Sequence, residues 1–261
     1  MSTRSSYPFA RALVTGASSG IGEAIARELG AAGVALVVVA RRADRLNELA
    51  ARYPGTEVIV ADLQTAAGRS AVEARLASED NPVDLLVNNA GFGTSGDFAL
   101  IEPDRSQGEI ELNITALTRL TRAALPRMIA ARRGWVLNVS SVVAFQPAPF
   151  LNVYAATKAY VQSFSEGLHE ELRSTGVVVT SLCPGLTKTE FQSVSNTSHF
   201  AKQYPAFAWL TSPRVAREGL RDCANGKAVS VPGPQYKALV ALVGITPNAL
   251  RRRLAGLVQR R

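Results

Sequence analysis

The stretch Thr15-Gly-Ala-Ser-Ser-Gly-Ile-Gly22 decides the fold of this 261-residue chain, because it joins an apolar strand-like run at 12–15 to a helical stretch that begins near residue 20. Its glycines permit a tight turn and let the backbone approach a pyrophosphate, whose charge is stabilised by the amides and dipole of a helix N-terminus. A glycine-rich turn without a ligand is the alternative. The position between strand and helix favours a dinucleotide site. The loop residues predicted to contact this ligand are Gly16, Ser18, Ser19, Gly20, Ile21 and Gly22.

Strand-like and helical runs alternate along the rest of the chain. Apolar, β-branched runs predict strands at 12–15, 35–39, 58–60, 83–87, 135–139, 177–182 and 228–231. Helical periodicity predicts helices that begin near residues 20 and 44, helices over 66–77 and 152–173, and a long helix that ends near residue 132. Apolar strands separated by helices favour a parallel sheet covered on both faces. We therefore expect one doubly wound, Rossmann-like α/β domain over 1–261, in which the irregular stretch 186–212 is a substrate lid.

Length and composition bound the class of protein. With 47% hydrophobic residues, a chain of this length can bury one large core. Cys183 and Cys223 are too few for a disulfide framework, which fits a reducing, cytoplasmic location. The first residues show no apolar signal region, and no apolar run approaches the roughly 18 residues of a spanning helix. His169 and His199 are isolated, so we expect no metal.

The net charge of +8 is concentrated near the C-terminus. Six basic residues and no acidic ones occupy 235–261, and the eight net positive charges less these six leave +2 for the rest of the chain. The basic residues of this extension are Lys237, Arg251, Arg252, Arg253, Arg260 and Arg261. A nearly balanced body with a basic tail lacks the basic, aromatic-bearing stripe of a nucleic-acid binder, so we expect no nucleic-acid partner.

The end of the second strand indicates which dinucleotide is bound. It reads Val39-Ala-Arg-Arg42, where a site selective for NAD would place a carboxylate against the adenosine ribose hydroxyls. Arg41, with Arg42 beside it, would instead attract a 2′-phosphate, and a solvated basic pair is the alternative. We therefore predict NADP(H) as the cofactor. Asp62, after the third strand, either accepts a hydrogen bond from the adenine amino group or is a helix N-terminal residue.

Tyr154 and Lys158 are four residues apart in a helical stretch, so both side chains project from one face a single turn apart. A free tyrosine has a pKa of roughly 10, and a nearby ammonium favours the phenolate and lowers that pKa. The pair is therefore a candidate proton donor and acceptor. The alternative is a half-buried tyrosine beside a solvated lysine on a surface helix.

Six motifs occur in one order along residues 12–189, and together they resemble the short-chain dehydrogenase/reductase superfamily. The motifs are 15–22, Asn88-Asn-Ala-Gly91, Asn113, Asn138-Val-Ser-Ser141, Tyr154 to Lys158, and Pro184-Gly185. The resemblance implies that the motif from Asn88 to Gly91 supports the sheet beside the cofactor, with Asn89, Ala90 and Gly91 in contact with it. It also implies that the segment of Pro184, Gly185, Thr187 and Thr189 holds the nicotinamide carboxamide, the alternative being a Pro-Gly turn with two solvated threonines.

The same resemblance implies a catalytic tetrad of Asn113, Ser141, Tyr154 and Lys158. Ser141 lies thirteen residues before Tyr154, the separation that this family uses. Ser140 is offset by one and should point to the opposite face of an extended segment. Asn113 matches the family asparagine that kinks its helix and orders water near the lysine, and a helix-surface amide is the alternative.

The implied chemistry is reduction of a carbonyl by hydride from NADPH, or oxidation of the alcohol in reverse. Negative charge grows on the carbonyl oxygen, which needs preplaced donors and a proton. Ser141 would donate a hydrogen bond and Tyr154 its proton. Lys158 would lower the tyrosine pKa and hold the nicotinamide ribose, while Asn113 and water would relay the replacement proton. The rival hypothesis is a regulatory or scaffold protein that binds the nucleotide without turnover, but such a protein needs only the glycine loop.

Aromatic residues gather in the candidate lid and between the serine and tyrosine of the tetrad. They are Phe145, Phe150, Phe191, Phe200, Tyr204, Phe207 and Trp209. Because ligand pockets are mostly apolar, they indicate an apolar carbonyl or alcohol substrate. The alternative is that they pack the lid against the body.

The C-terminal extension, 235–261, is predicted to end in a basic amphipathic helix. Thr246 suits its N-cap and Pro247 its first position. Its apolar face, opposite the arginines, consists of Leu250, Leu254, Leu257 and Val258. Such a helix could lie on an anionic membrane surface, on its own domain or on a second subunit.

The resemblance also implies a homodimer or homotetramer. In this family the helices that carry the asparagine and tyrosine often form the subunit contact. The apolar positions that could serve this contact are Tyr160, Phe164, Leu168 and Leu172. The same stripe could instead cover the sheet.

Overall fold

A computed structural model of the chain describes residues 6–197 and 204–258. Its strands are β1 (Arg11–Thr15), β2 (Ala35–Ala40), β3 (Glu57–Val60), β4 (Leu85–Asn88), β5 (Gly134–Val139), β6 (Val177–Leu182), β7 (Thr187–Lys188), β8 (Leu210–Thr211) and β9 (Val229–Ser230). Its α-helices are α1 (Gly20–Ala31), α2 (Ala43–Arg52), α3 (Ala66–Ala77), α4 (Pro103–Ile110), α5 (Leu117–Ala130), α6 (Asn152–Glu171), α7 (Phe191–Val194), α8 (Ser212–Ala224), α9 (Pro234–Ile245) and α10 (Asn248–Val258).

The main sheet is parallel and has the strand order β3-β2-β1-β4-β5-β6-β9. β1 lies between β2 and β4, and Val14 pairs with both Val38 and Val87. The chain leaves β1 towards one edge through β2 and β3, and then builds the other half of the sheet from β4. In doubly wound sheets, ligands bind at the carboxyl ends of the strands where the order reverses. The predicted fold class is confirmed, and the glycine loop lies at this point of reversal.

Helices cover both faces of the sheet, and strand side chains alternate between the two layers. Val14 of β1 belongs to the buried cluster that contains Ile25 of α1 and Leu220 of α8. Its neighbour Leu13 belongs to the opposite cluster, which contains Leu120 of α5. Burying each of these large side chains contributes about 1.5–3 kcal/mol. The two clusters hold the strand ends in place and therefore the loops that form the site.

Several element boundaries differ slightly from the predicted ones. The strand predicted at 83–87 spans Leu85–Asn88, and the Asp84 carboxylate before it accepts the backbone N–H groups of Ala10 and Arg11. The helix predicted to end near residue 132 ends at Ala130, and Arg132 has a left-handed φ of +50°. The helix over 66–77 and the strand over 177–182 are confirmed.

The long helix before β5 is interrupted, which the periodicity did not predict. α4 runs into a π-helical turn, Glu111–Ala116, which runs into α5. A π-turn bends a helix and is frequent at functional sites. Asn113 lies in this turn, which is the position where the resemblance implies a kink.

The candidate lid at 186–212 is more regular than predicted. Its described part contains β7, α7, a 3₁₀ turn (Ala206–Ala208) and β8, and β7 pairs in parallel with β8. Phe200 and His199 lie outside the described residues.

The C-terminal extension forms α9 and α10. The predicted role of Thr246 as N-cap of the last helix is wrong, because its hydroxyl donates to the Leu242 carbonyl at 2.7 Å and closes α9. Arg251 Nη1 donates to the Phe145 carbonyl at 3.0 Å, so α10 contacts its own domain. No helix in the described ranges has the length and apolar character needed to cross a bilayer. The predicted tail positions outside the described side chains are Leu254, Leu257, Val258, Arg260 and Arg261.

Candidate active site

A cleft of about 1290 Å³ opens at the carboxyl ends of the strands in the main sheet. The predicted site residues that line it are Gly16, Ser18, Ser19, Gly20, Ile21, Arg41, Arg42, Asp62, Asn89, Ala90, Gly91, Ser141, Tyr154, Lys158, Pro184, Gly185, Thr187 and Thr189. Gly22 and Asn113 are absent from its described lining and are buried in the surrounding structure. The tertiary structure thus gathers segments that lie up to about 170 residues apart along the chain.

Glycines shape the loop between β1 and α1. Gly16 and Gly20 have left-handed backbone angles, with φ of +66° and +60°, which residues with a side chain rarely adopt. A Cβ on Gly22 would overlap the Gly16 carbonyl oxygen and the Asn89 amide nitrogen, so only glycine lets α1 begin so close to β4. The loop therefore presents open backbone at a helix N-terminus, which fits a pyrophosphate.

Asn89 and Thr15 fasten this loop to the end of β4. Asn89 Nδ2 donates to the carbonyl oxygen of Thr15 at 2.9 Å and to that of Gly16 at 3.3 Å. The Thr15 hydroxyl oxygen accepts the backbone N–H groups of Asn89 and Ala90. Because these bonds join two adjacent strand ends, the loop is shaped before any ligand binds.

The two arginines after β2 differ in environment. Arg41 is exposed on the cleft wall. Arg42 Nε donates to Ser18 Oγ at 3.2 Å, and its Nη2 donates to the Ser18 carbonyl and to Glu190 Oε2, each at 3.0 Å. The solvated-pair alternative is therefore wrong for Arg42, which braces the glycine loop and joins it to the lid.

Asp62 lines the cleft beyond β3. Its Oδ1 accepts the backbone N–H of Gln64 at 3.0 Å. The N-cap of α3 is Thr65, whose hydroxyl accepts the Gly68 N–H. The alternative role of Asp62 as a helix N-terminal residue is therefore wrong.

Ser141, Tyr154 and Lys158 meet on one wall of the cleft. Lys158 is buried, its Nζ donates to the Val139 carbonyl at 2.8 Å, and it lies 5.6 Å from the centre of the Tyr154 ring. Ser141 lowers the pKa of the Tyr154 phenol, and its hydroxyl donates to the Pro184 carbonyl at 3.5 Å and accepts the Val143 N–H at 3.3 Å. The Ser140 hydroxyl instead donates to the Lys158 carbonyl at 2.8 Å. The two adjacent serines therefore point to different neighbours, as the alternation along an extended strand requires.

Burial controls the charge of the Tyr154–Lys158 pair. It raises the pKa of Tyr154 well above its usual range, against the smaller lowering by Ser141. It also lowers the pKa of Lys158 to about 8, while the negative charge of Glu109 acts to raise it. The expectation that Lys158 brings the Tyr154 pKa down is therefore wrong for the protein by itself, because loss of water around the phenolate outweighs the other influences.

Asn113 joins three parts of the site from within the π-turn. Its Oδ1 accepts the Phe92 N–H at 3.1 Å, and its Nδ2 donates to the Phe92 carbonyl at 2.8 Å and to Thr157 Oγ1 at 3.0 Å. The helix-surface alternative is wrong, since the residue is 1% exposed. Gly91 keeps the space in front of it open, because a Cβ there would lie 2.8 Å from Asn113 Oδ1 and 3.5 Å from Lys158 Nζ.

The segment after β6 closes over the glycine loop. Thr187 is buried and its hydroxyl donates to the Gly185 carbonyl at 2.9 Å. A Cβ on Gly20 would lie 3.2 Å from the side chain of Thr189. The interpretation as a Pro-Gly turn with two solvated threonines is therefore wrong.

Tyr236 is a supporting residue that the sequence reasoning missed. A Cβ on Gly185 would overlap its ring, and its hydroxyl accepts the Leu186 N–H at 2.9 Å and donates to the Ala208 carbonyl at 2.7 Å. It thus fastens both ends of the lid to α9. The available signal was an aromatic residue two positions after Pro232-Gly-Pro234.

The candidate aromatic residues divide into two groups. Those that line the cleft are Phe191, Tyr204, Phe207 and Trp209. Phe191 packs on Tyr154, with ring centroids 5.2 Å apart. Phe145 and Phe150 are absent from the described lining, so the expectation that they form the pocket is wrong. Among the described residues, no group of three His, Cys, Asp or Glu side chains could hold a metal ion.

Comparison with known proteins agrees with this geometry. Residues 10–199 match the family model described as short chain dehydrogenase. The very-long-chain 3-oxoacyl-CoA reductase of Anas platyrhynchos is 35% identical over 226 residues, which cover 82% of this chain and 70% of that protein.

Two solved structures share the fold over most of their length. A short-chain dehydrogenase from Sphingobium yanoikuyae in complex with NADPH is 34% identical, with a TM-score of 0.81 and coverage of 92% of this chain and 97% of that one. The bulky-bulky ketone specific alcohol dehydrogenase from Comamonas testosteroni is 32% identical, with a TM-score of 0.76 and coverage of 92% and 95%.

Proposed function

This chain belongs to the short-chain dehydrogenase/reductase family of oxidoreductases, which use nicotinamide cofactors, and on that premise we propose that it reduces an apolar carbonyl compound with NADPH. The reverse reaction is oxidation of the corresponding alcohol. The observation that carries the proposal is the convergence of Ser141, Tyr154 and Lys158 on the wall of the cleft that the glycine loop enters.

The side chains of this wall can stabilise and protonate a carbonyl oxygen. Ser141 donates a hydrogen bond to the oxygen as negative charge grows on it. Tyr154, whose raised pKa keeps it protonated, donates a second hydrogen bond and then its proton. Lys158 stabilises the phenolate that remains, and Asn113 holds the backbone of Phe92 and α6 in register behind the pair.

The cleft fits a dinucleotide, since it has a volume of about 1290 Å³ and is lined by the open backbone of Gly16 and Gly20 at the N-terminus of α1. Residues of the glycine loop would hold the diphosphate, and Thr187 and Thr189 would hold the carboxamide. When bound, the nicotinamide ring supplies or accepts the hydride.

A preference for NADPH over NADH is supported by the end of β2. The two positions directly after this strand are arginines instead of a carboxylate, and Arg41 is exposed and lines the cleft, where it would attract a 2′-phosphate. Arg42 is occupied by Ser18 and Glu190, so Arg41 carries the preference.

An apolar substrate is supported by the side chains around Tyr154. Phe191 packs on the phenol, and Trp209, Leu186 and Leu151 line the same cleft. The related Comamonas enzyme is specific for bulky-bulky ketones, which are carbonyl compounds.

A homodimer or homotetramer in the cytoplasm remains part of the proposal. Tyr160 is 36% exposed and its ring stacks on Phe164, which leaves two aromatic side chains on the outer face of α6. Leu172 belongs to the buried core and Leu168 packs against it, so these two cover the sheet. Sedimentation velocity of the wild type and of Tyr160→Lys tests whether this face joins subunits.

Peripheral contact with an anionic membrane is a second proposal, supported by α9 and α10. Leu242 and Ile245 are 59% and 82% exposed, and the basic side chains of Arg252 and Arg253 are exposed on the adjoining helix. Sedimentation with anionic vesicles should recover the intact protein and lose Leu242→Ser/Ile245→Ser. Equal recovery of both proteins removes this proposal.

The proposed activity is tested with a panel of carbonyl compounds and alcohols, each assayed with NADPH and with NADH. We expect turnover of apolar ketones or aldehydes, and we expect this turnover to need a lower concentration of NADPH than of NADH. Preference for NADH contradicts the role of Arg41, and turnover of polar substrates alone contradicts the apolar pocket.

Tyr154→Phe separates an enzyme from a nucleotide-binding scaffold. The variant should bind NADPH, measured by fluorescence, while its turnover falls by at least about two orders of magnitude. Unchanged turnover contradicts the proposed acid.

A further inference from the structure

Glu109 is a buried carboxylate that the proposed reaction leaves unused. It lies in the last turn of α4 and is 0% exposed. Neither of its oxygens has a hydrogen-bond partner of normal geometry among the described residues. A buried carboxylate without such partners is unfavourable unless a neighbouring charge compensates it or it takes up a proton.

The polar groups that face Glu109 come from three segments. Thr94 comes from the loop after β4, Lys158 from α6, and Arg105 from one turn earlier on α4. Burial raises the pKa of Glu109 to about 7, against the smaller lowering by the nearby Thr94 side chain and by the charges of Lys158 and Arg105. The residue therefore changes charge near neutral pH.

Glu109 also lies close to the groups that hold the catalytic wall. It precedes Asn113 by four residues, and α4 packs against α6. A Cβ placed on Gly91 would lie 2.8 Å from Asn113 Oδ1 and 3.5 Å from Lys158 Nζ, so both groups are close to this glycine. Glu109 thus lies four residues before Asn113 on a helix that packs against the helix of Tyr154 and Lys158, and its charge acts on both of these side chains.

We propose that Glu109 is a positioning residue for proton transfer, whose negative charge sets the pH range in which Tyr154 and Lys158 give up protons. The inference rests on the proposed function, since it concerns the same site. A negative charge favours the protonated form of both neighbours, and Glu109 acts to raise the pKa of Tyr154 and of Lys158. The Glu109 carboxylate therefore keeps the buried Lys158 ammonium charged and keeps the proton on the Tyr154 phenol until the substrate takes that proton.

The test is the pH profile of Glu109→Gln in the intact enzyme. Glutamine has the same size without the charge, so the limb on which carbonyl reduction slows as pH rises should move to lower pH by roughly one pH unit. The rate on the acidic plateau should stay within a few-fold of wild type, because Glu109 is itself protonated there. Glu109→Asp, which keeps the charge, should restore the wild-type limb.

Glu111→Gln is the matched control. Glu111 lies two residues along the chain, is partly exposed and pairs with Arg69 at 2.9 Å. Its substitution should leave the limb in place. A Glu109→Gln profile that is lower at every pH but unmoved along the pH axis overturns the proposal and leaves a structural role.

A second measurement needs no turnover. In protein labelled with ¹³C at the glutamate side-chain carboxyls, the signal absent from Glu109→Asp should titrate near neutrality, and Lys158→Met should move its midpoint to higher pH. The proposal is overturned if the Glu109 carboxyl titrates with a midpoint in the ordinary range for glutamate, or if Lys158→Met does not move that midpoint. This holds even where Glu109→Gln fails to fold. Absence of turnover on every carbonyl with this titration intact contradicts the proposed function instead.

Discussion

Replacing Tyr236 by phenylalanine should loosen the lid without disturbing the packing beneath it. The side chain is buried, and its hydroxyl joins the Leu186 N–H at the start of the lid to the Ala208 carbonyl near its end. Phenylalanine keeps the ring that packs on Gly185. The substitution therefore isolates the two hydrogen bonds.

The expected loss follows from these bonds, which are 2.9 Å and 2.7 Å long. Each buried hydrogen bond contributes about 0.5–1.5 kcal/mol, so Tyr236→Phe should lower the free energy of unfolding by about 1–3 kcal/mol. For a domain of this size, a loss of about 2 kcal/mol corresponds to a fall in Tm of roughly 4–8 °C. NADPH should also bind more weakly, because Leu186 leads directly into the threonines proposed to hold the carboxamide.

Urea unfolding followed by circular dichroism measures the effect, with Tyr160→Phe as the control. The Tyr160 hydroxyl lies 2.9 Å from Thr118 Oγ1 on an exposed face, so its removal should cost less than about 0.5 kcal/mol. If Tyr236→Phe unfolds at the same urea concentration as Tyr160→Phe and binds NADPH as tightly, the hydroxyl does not hold the lid and the reasoning is refuted.

Three further predictions concern single groups in or near the cleft. Ser141→Ala should lower kcat about 10²–10³-fold with folding unchanged. Ser140→Ala should instead cost about 1 kcal/mol of stability, through the lost hydrogen bond to the Lys158 carbonyl, and change kcat little. Steady-state kinetics and urea unfolding of both variants check this prediction, and equal effects on kcat contradict it. Arg41→Ala should raise KM for NADPH about 10–100-fold and leave KM for NADH unchanged, as expected for one lost charge-assisted phosphate contact; a parallel rise for both cofactors contradicts the assignment. Cys183 and Cys223 are buried and burial raises the pKa of each thiol to about 12, so both should resist a thiol reagent at pH 8 until denaturant is added; rapid labelling of the native protein is the contrary result.

Much of the site follows from spacing along the chain. Tyr154 and Lys158 share a helix face however deeply the helix is buried, since four residues make about one turn. The extended backbone that continues from β5 directs Ser140 and Ser141 to different neighbours, the Lys158 carbonyl for Ser140 and the Pro184 carbonyl for Ser141. Local periodicity is enough for such relations, because the atoms concerned lie within one element.

Other features depend on contacts between distant segments. The sequence predicts Arg42 as part of a solvated or phosphate-binding pair, yet the side chain joins Ser18 to Glu190, which lies 148 residues away. Tyr236 supports the lid from α9, and no pattern within the lid indicates this. Such partners are chosen by how helices pack on the sheet, which composition and spacing do not encode locally.

The sequence by itself determined the doubly wound fold, the glycine loop and the order of the acid, the serine and the amine, because each depends on backbone freedom or periodicity within a few residues. Only the tertiary structure decided the protonation of the site. Burial raises the Tyr154 pKa, lowers that of Lys158 and brings Glu109 beside them, although the sequence alone predicted a lowered phenol pKa. The physical reason is that the cost of a charge is set by how much water the surrounding elements exclude, which is a property of the packed fold.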